Sequence, residues 1–338
     1  MSAPTARLQR LARVDLGDYP ADATWSSDGQ VMVVAGGQGS LTWLDFTASA
    51  IAEPFGEHAG GVLALAWQGG GRLFASSGQD GEVRIWDART RTARLVHAGA
   101  EWSEQLAFAG HGRWLAVATG RALRVFASDG ELRHELPIQP SVIAAIAWRP
   151  KTHELAAVGN GGARLHVLAP QLRSREFPWP GACLTASWSP EGRLLASGMQ
   201  DGSVHYWNIG ASTESQMRGY GTKVTLTCWS ANGRLLATAA DQHVIIWDFA
   251  SGGPEGSEPL QLMGHTARLT QIAFQPQGSL LAAGARDRRL TLWRLAQPQQ
   301  PIDADLLSDE VALLRWSPEG KRLAAIDTSG VLSLYALS

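Results

Sequence analysis

The sequence predicts an all-β chain of eight four-stranded antiparallel sheets set side by side in a closed ring. Three observations carry that expectation. A phrase recurs: GRLFASSGQDGEVRIWD, from Gly71 to Asp87, returns as GRLLASGMQDGSVHYWN from Gly192 to Asn208 and as GRLLATAADQHVIIWD from Gly233 to Asp248. Each copy holds two short apolar strands around a Gly/Asp turn that reverses the chain. An aromatic residue that closes a strand falls at Trp25, Trp67, Phe108, Trp148, Trp188, Trp229, Phe274 and Trp316, at intervals of 42, 41, 40, 40, 41, 45 and 42 residues. Eighteen or nineteen positions after each comes a second bulky residue: Trp43, Trp86, Phe126, His166, Trp207, Trp247, Trp293 and Tyr335. Sheets this thin cannot bury both faces alone, and stacking them about an axis lets each apolar face meet its neighbour's.

Within a unit the order is strand, tight turn, strand, turn, strand, looser connection, strand. In the second unit these strands are Val62 to Trp67, Leu73 to Ser77, Val83 to Asp87 and Ala93 to Val96. A glycine four positions after the first aromatic serves the tight turn at Gly29, Gly71, Gly112, Gly192, Gly233, Gly278 and Gly320, and only the fourth unit departs, with Thr152. The sixth unit carries the longest insertion, Ser251 to Glu258 (SGGPEGSE), whose Gly, Pro and Ser content reads as a mobile surface loop. The last unit stops at its third strand, Val331 to Leu337, while Leu11 to Leu16 precedes the first unit as an orphan. Pairing these two segments completes the ring and removes two open sheet edges. Length alone would suggest two domains, but a closed array makes residues 1–338 a single one.

Composition narrows the function classes. With 29 basic and 31 acidic residues the net charge is -2, so no basic excess exists to condense on phosphate and nucleic acid is not expected as a partner. The two cysteines, Cys183 and Cys228, lack metal-ligand spacing and read as buried thiols in a reducing compartment. The N-terminus has no apolar signal-peptide segment, and no run of about 18 apolar residues offers a membrane span. A cytoplasmic monomer without cofactor or metal is expected.

The repeated phrase, ending in Trp86-Asp87, Trp207-Asn208 and Trp247-Asp248 and degenerating to Trp293-Arg294, resembles the WD-repeat β-propeller family over nearly the whole chain. The resemblance implies a disc of four-stranded blades whose first strands line a central channel, closed by a latch of the two chain ends. Seven blades are usual in the family; eight are counted here. It also implies a hydrogen-bonded set that locks a blade, formed by a loop His, a second-strand Ser or Thr, a turn Asp and a third-strand Trp. His58, Ser76, Asp80 and Trp86 match it in the second unit. The fifth keeps Ser197, Asp201 and Trp207 but has Trp179 in the histidine slot. The sixth has Tyr220 there with Thr238, Asp241 and Trp247, and the seventh has His265, Asp287 and Trp293 but Ala283 in place of the hydroxyl. Because the set recurs from blade to blade, its His, Ser and Asp read as rigidity rather than catalysis.

Of the 14 tryptophans, twelve fall on core positions of the repeat; Trp102 and Trp179 do not. Trp179 shares the slot of His58, Tyr220 and His265 and is expected to pack under its loop. Trp102 fits no slot and is a candidate for partner contact, since tryptophan concentrates at interface hot spots. Arg72, Arg113, Arg193, Arg234 and Lys321 would form a partial ring of solvated turn residues on the opposite face.

The expected function is that of a non-catalytic protein-interaction platform, because loops on a rigid scaffold carry recognition. The loops that lead into each first strand would form the binding face, among them Glu57 to Gly61, Gly99 to Glu104, Ile138 to Ser141, Phe177 to Ala182 and Met217 to Lys223. Candidate partner-binding residues are Trp102, Trp179, Arg218, Tyr220, Lys223 and Arg268, and the partner is a protein or peptide lying across the channel mouth. The rival reading is an enzyme, or a small-ligand or metal binder, at that mouth. The inner strands VLALAW, VIAAIAW, CLTASW, VTLTCW and LTQIAF carry no carboxylate, which argues against it.

Overall fold

In the computed structural model, which describes residues 6–47, 51–250, 253–254 and 256–337, eight antiparallel sheets follow one another along the chain. The second sheet is typical: Val62–Trp67, Leu73–Gly78, Glu82–Asp87 and Thr92–Ala98 pair in sequence order. First strands of successive sheets touch all the way round, and Val311–Trp316 of the eighth meets Pro20–Trp25 of the first. The ring is therefore an eight-bladed β-propeller, as the count of repeats predicts. Of the Ser251 to Glu258 insertion, residues 251, 252 and 255 lie outside the described residues.

The closing latch is as expected and slightly longer. Leu8–Asp15 pairs antiparallel with Val331–Leu337 and becomes the outer strand of the eighth blade. It also grips the seventh blade: Leu8 N donates to Asp303 Oδ2 at 2.7 Å, Arg13 to Ser308 Oγ at 2.6 Å, and Arg10 to Asp305 Oδ2 at 2.5 Å. Tyr335 Oη donates to the same Asp305 oxygen at 2.8 Å, with the Arg10 guanidinium over the tyrosine ring. Between the end blades, Arg315 donates to Asp22 Oδ1 at 2.9 Å, and Asp22 Oδ2 accepts from Leu65 N of the second blade at 2.9 Å.

The repeating tryptophans that close the first strands do more than fill the core. In five of them the indole N–H donates across to the preceding blade, always to the carbonyl just before that blade's own aromatic: Trp25 to Arg315, Trp148 to Ala107, Trp188 to Ala147, Trp229 to Ser187 and Trp316 to Ala273, at 2.8–3.1 Å. Trp67 alone turns its N–H back to Gly71 O of its own turn, at 3.1 Å. The ring of indoles thus ties each of those blades to its predecessor by a bond that burial by itself would not specify.

Two elements depart from the sequence expectation. The fourth blade's second and third strands form one segment, Glu154–Val167, that reverses at Gly161 and Gly162, both at positive φ. Leu168 N donating to His153 O at 3.0 Å closes this hairpin. Its outer strand, Arg173–Ala182, runs on through Phe177 to Ala182, so that stretch is strand and not a connecting loop. The fifth blade's first strand shrinks in consequence to Ser187–Trp188, with an isolated bridge between Cys183 and Met199.

The channel also needs correction. Asp22 and Arg315 come from the inner strands PADATW and VALLRW, and the Arg315 guanidinium reaches Gln271 Oε1 at 3.3 Å. The channel wall is therefore not free of carboxylate; the carboxylate there is engaged by an arginine that spans the seam.

Candidate interaction face

In the second blade all four expected groups meet. His58 Nε2 is 2.7 Å from Ser76 Oγ, Trp86 Nε1 donates to the same oxygen at 2.8 Å, and His58 Nδ1 lies 3.0 Å from both oxygens of Asp80. Gly78 makes room, because a Cβ there would stand 2.4 Å from His58 Nδ1. Burial holds His58 below its ordinary pKa although Asp80 pulls the other way. Burial tends to raise Asp80, but the bonds from His58 and the backbone N–H groups of Glu82 and Ala59 keep it low. The result is a neutral imidazole with both nitrogens occupied, which is a brace.

The seventh blade reaches the same brace by another route. Ala283 removes the second-strand hydroxyl, but Thr291, its antiparallel partner on the third strand, supplies one. His265 Nε2 lies 2.9 Å from Thr291 Oγ1, and Trp293 Nε1 donates to that oxygen at 2.9 Å. In the sixth blade Tyr220 Oη accepts from Trp247 Nε1 at 2.7 Å and lies 2.5 Å from Thr238 Oγ1. In the fourth blade Gln139 and His166 hold the corresponding positions, 3.2 Å apart. Sequence reasoning missed Thr291 and Gln139; each is found by asking which residue faces the missing group across the strand pair or fills the same slot.

The fifth blade does not close its set. Trp179 stacks on His205, with ring centroids 3.8 Å apart, and His205 in turn meets the edge of Trp207 at 4.4 Å. Among the described residues Trp179 Nε1, Trp207 Nε1 and both His205 nitrogens are buried without a hydrogen-bond partner, the Glu214 carboxylate standing 3.6 Å from His205 Nε2. Burial drives His205 to a pKa of about 4.

The six candidate contact residues do not form one patch. Trp179 is half-buried against the core of the fourth and fifth blades. Tyr220 is spent on the brace, and with Arg218, His243 and Trp247 it lines a cavity of about 370 Å³ on the sixth blade. Lys223 is exposed, and Arg268 is half-buried in the approach to the seventh blade. Trp102 stands elsewhere, 49% exposed, on a cleft that it shares with Ile138 and Val142, themselves 59% and 61% exposed. This is where exposed apolar side chains converge on the loop face. The sequence signalled only part of it. Ile138 falls in the loop ahead of the inner strand VIAAIAW and has no core slot to fill, whereas Val142 opens that strand pattern and is left outside the strand, which begins at Ile143.

On the other face the basic turn residues are not a free ring. Arg72 pairs with Asp87 at 3.0 Å, Arg234 with Asp248 at 2.6 Å, and Arg193 lies 3.8 Å from Glu191. Both cysteines are free thiols, and burial pushes Cys183 to about 11 and Cys228 to about 12. Among the described residues no three His, Cys, Asp or Glu side chains converge on a metal-sized site.

Four segments of the chain, residues 51–87, 176–208, 213–248 and 256–294, match the family model WD40 (WD domain, G-beta repeat). The chain is 26% identical over 255 residues to the B-type cell cycle switch protein ccs52A of Medicago truncatula, covering 69% of this chain and 50% of that protein. It is 21% identical over 302 residues to the WD repeat-containing protein slp1 of Schizosaccharomyces pombe, covering 87% and 53%. To the anaphase-promoting complex subunit cdh1 of Dictyostelium discoideum it is 25% identical over 314 residues, covering 87% and 39%. The chain thus spans about half the length of these three relatives, or less. Among solved structures, the crystal structure of the computationally designed Ika8 protein shares the fold with a TM-score of 0.82 at 17% identity, covering 97% of this chain and 99% of that one. By its repeats and its closed ring of blades, the chain belongs to the WD-repeat β-propeller family.

Proposed function

We propose that the protein is a non-catalytic interaction platform that holds a partner protein or peptide on its loop face. The observation that carries this reading is the cleft at Trp102, Ile138 and Val142, where three of the ten exposed bulky apolar side chains among the described residues line one site. Exposed apolar clusters of this kind mark protein contact sites. The names of two relatives support it: one is a subunit of the anaphase-promoting complex and another, from Arabidopsis thaliana, a cofactor of that complex. Cys183 and Cys228 are free thiols, which fits a reducing compartment such as the cytoplasm.

Affinity recovery of partners with the wild type and with a Trp102→Ala, Lys223→Ala, Arg268→Ala triple variant tests the choice of face. The expected result is loss of the partners recovered by the wild type. Equal recovery by both proteins would reject the loop face.

A further inference from the structure

The cleft beside Trp102 has a charge pattern that selects among possible occupants. Trp102 lies between Glu101 and Glu104, all three are exposed, and all three line the cleft. Among the described residues neither carboxylate has an ion-pair or hydrogen-bond partner. The cleft also contains Arg121, whose Nε donates to Gln139 O at 2.7 Å and so is held against the far wall. An exposed indole face with two free carboxylates beside it attracts a cation twice over, by the ring quadrupole and by charge.

Both walls are fixed before anything binds. Ser103, next to Trp102, is buried and its Oγ lies 2.7 Å from Thr119 Oγ1, which anchors the loop from beneath. The opposite wall is tied to the third blade in both directions, since Gln139 N donates to Arg121 O at 3.0 Å while Arg121 Nε donates to Gln139 O. The Gln139 side chain is in turn held by Pro137 O at 2.8 Å and by His166. A site ordered in advance does not spend binding energy on ordering its own loops.

We propose that this cleft receives an extended segment of the partner in which a lysine or arginine is followed directly by a β-branched apolar residue. The cation lies on Trp102 between Glu101 and Glu104, and the apolar side chain covers Ile138 and Val142. This deepens the platform reading and rests on it, with the partner's chemistry now specified.

Fluorescence anisotropy on the full chain, with labelled Gly/Ser-framed peptides carrying a central Lys-Ile, Gln-Ile, Lys-Ser or Glu-Ile pair, tests it. The Lys-Ile peptide is expected to bind at least tenfold more tightly than the other three, and more weakly as salt is raised. Trp102→Ala should abolish binding. The double variant Glu101→Gln, Glu104→Gln should cut the preference for Lys-Ile over Gln-Ile severalfold, to what the Trp102 ring alone supplies, while leaving Gln-Ile unchanged. Ile138→Ser should remove the advantage of Lys-Ile over Lys-Ser. If no peptide binds, or if the double variant keeps the full preference for Lys-Ile, the proposal is overturned. Partner recovery that is lost in the triple variant would in that case leave the platform reading standing.

Discussion

At the residue scale, the hydroxyl at the centre of each brace decides how much it holds. Ser76 Oγ receives both His58 and Trp86, so Ser76→Ala strands two buried nitrogens at once. A loss of about 1–3 kcal/mol follows, read as a lower urea midpoint. Thr291→Ala should cost the seventh blade a similar amount. Restoring the hydroxyl from the facing strand with Ala283→Ser in the Thr291→Ala background should recover much of it, because Ala283 and Thr291 are register partners. Histidine burial also sets an acid limit. His166 and His205 are held to about 4 by burial, Arg164 adding to the effect on His166 while Asp201 opposes it at His205. The ordinary value is 6.5, so between about 6.5 and 4 the unfolded chain takes up protons that the folded chain refuses. Stability is therefore complete above 6.5 and falls as pH drops toward 4. Urea midpoints measured from pH 7.5 to 4.5 should show that decline, and a His205→Phe variant should show less of it.

At the scale of the strand and blade, the indole ring gives a graded expectation. Trp188→Phe removes a bond between blades, to Ala147 O, and Trp67→Phe removes one only to its own surface turn. The first should cost about 1 kcal/mol more than the lost ring area explains, and the second close to nothing beyond it. Equal losses in thermal unfolding would show that the inter-blade bond is idle. The latch makes a stronger demand. Without residues 1–18 the eighth blade loses its outer strand and exposes the edge of Val331–Leu337, while Asp303 and Asp305 lose their partners Leu8 N and Arg10. That deletion should aggregate, since an open edge invites pairing between molecules; a soluble, cooperatively unfolding product would refute it.

At the scale of the whole molecule, a ring built from short-range hairpins is joined where its ends meet, and there the non-local bonds concentrate. Trp25 donates to Arg315 O, Arg315 donates to Asp22, and Asp22 accepts from Leu65 N, so three blades are tied through one carboxylate. Asp22→Ala leaves both the guanidinium and the Leu65 N–H without that acceptor. A destabilisation of about 2 kcal/mol is expected by chemical denaturation, more than removal of one exposed ion pair gives. The same closed geometry is what keeps the Trp102 cleft in place, since its two walls belong to neighbouring blades.

The blade count, the spacing of the strands, the pairing of the two chain ends and the complete brace at His58, Ser76, Asp80 and Trp86 were all legible in the sequence. Each rests on a local pattern that repeats, and a repeated pattern can be read eight times over. What the repeat could not supply is what the folded blades do within and between themselves: the indole bonds across five seams, the hydroxyl that Thr291 lends across its own blade in place of Ala283, the Asp22–Arg315 link, and the meeting of Trp102 with Ile138 and Val142. Those depend on which side chains the closed ring brings face to face. Residues about forty apart in the chain, or at its opposite ends, become neighbours only once the curvature and register of every blade are set together.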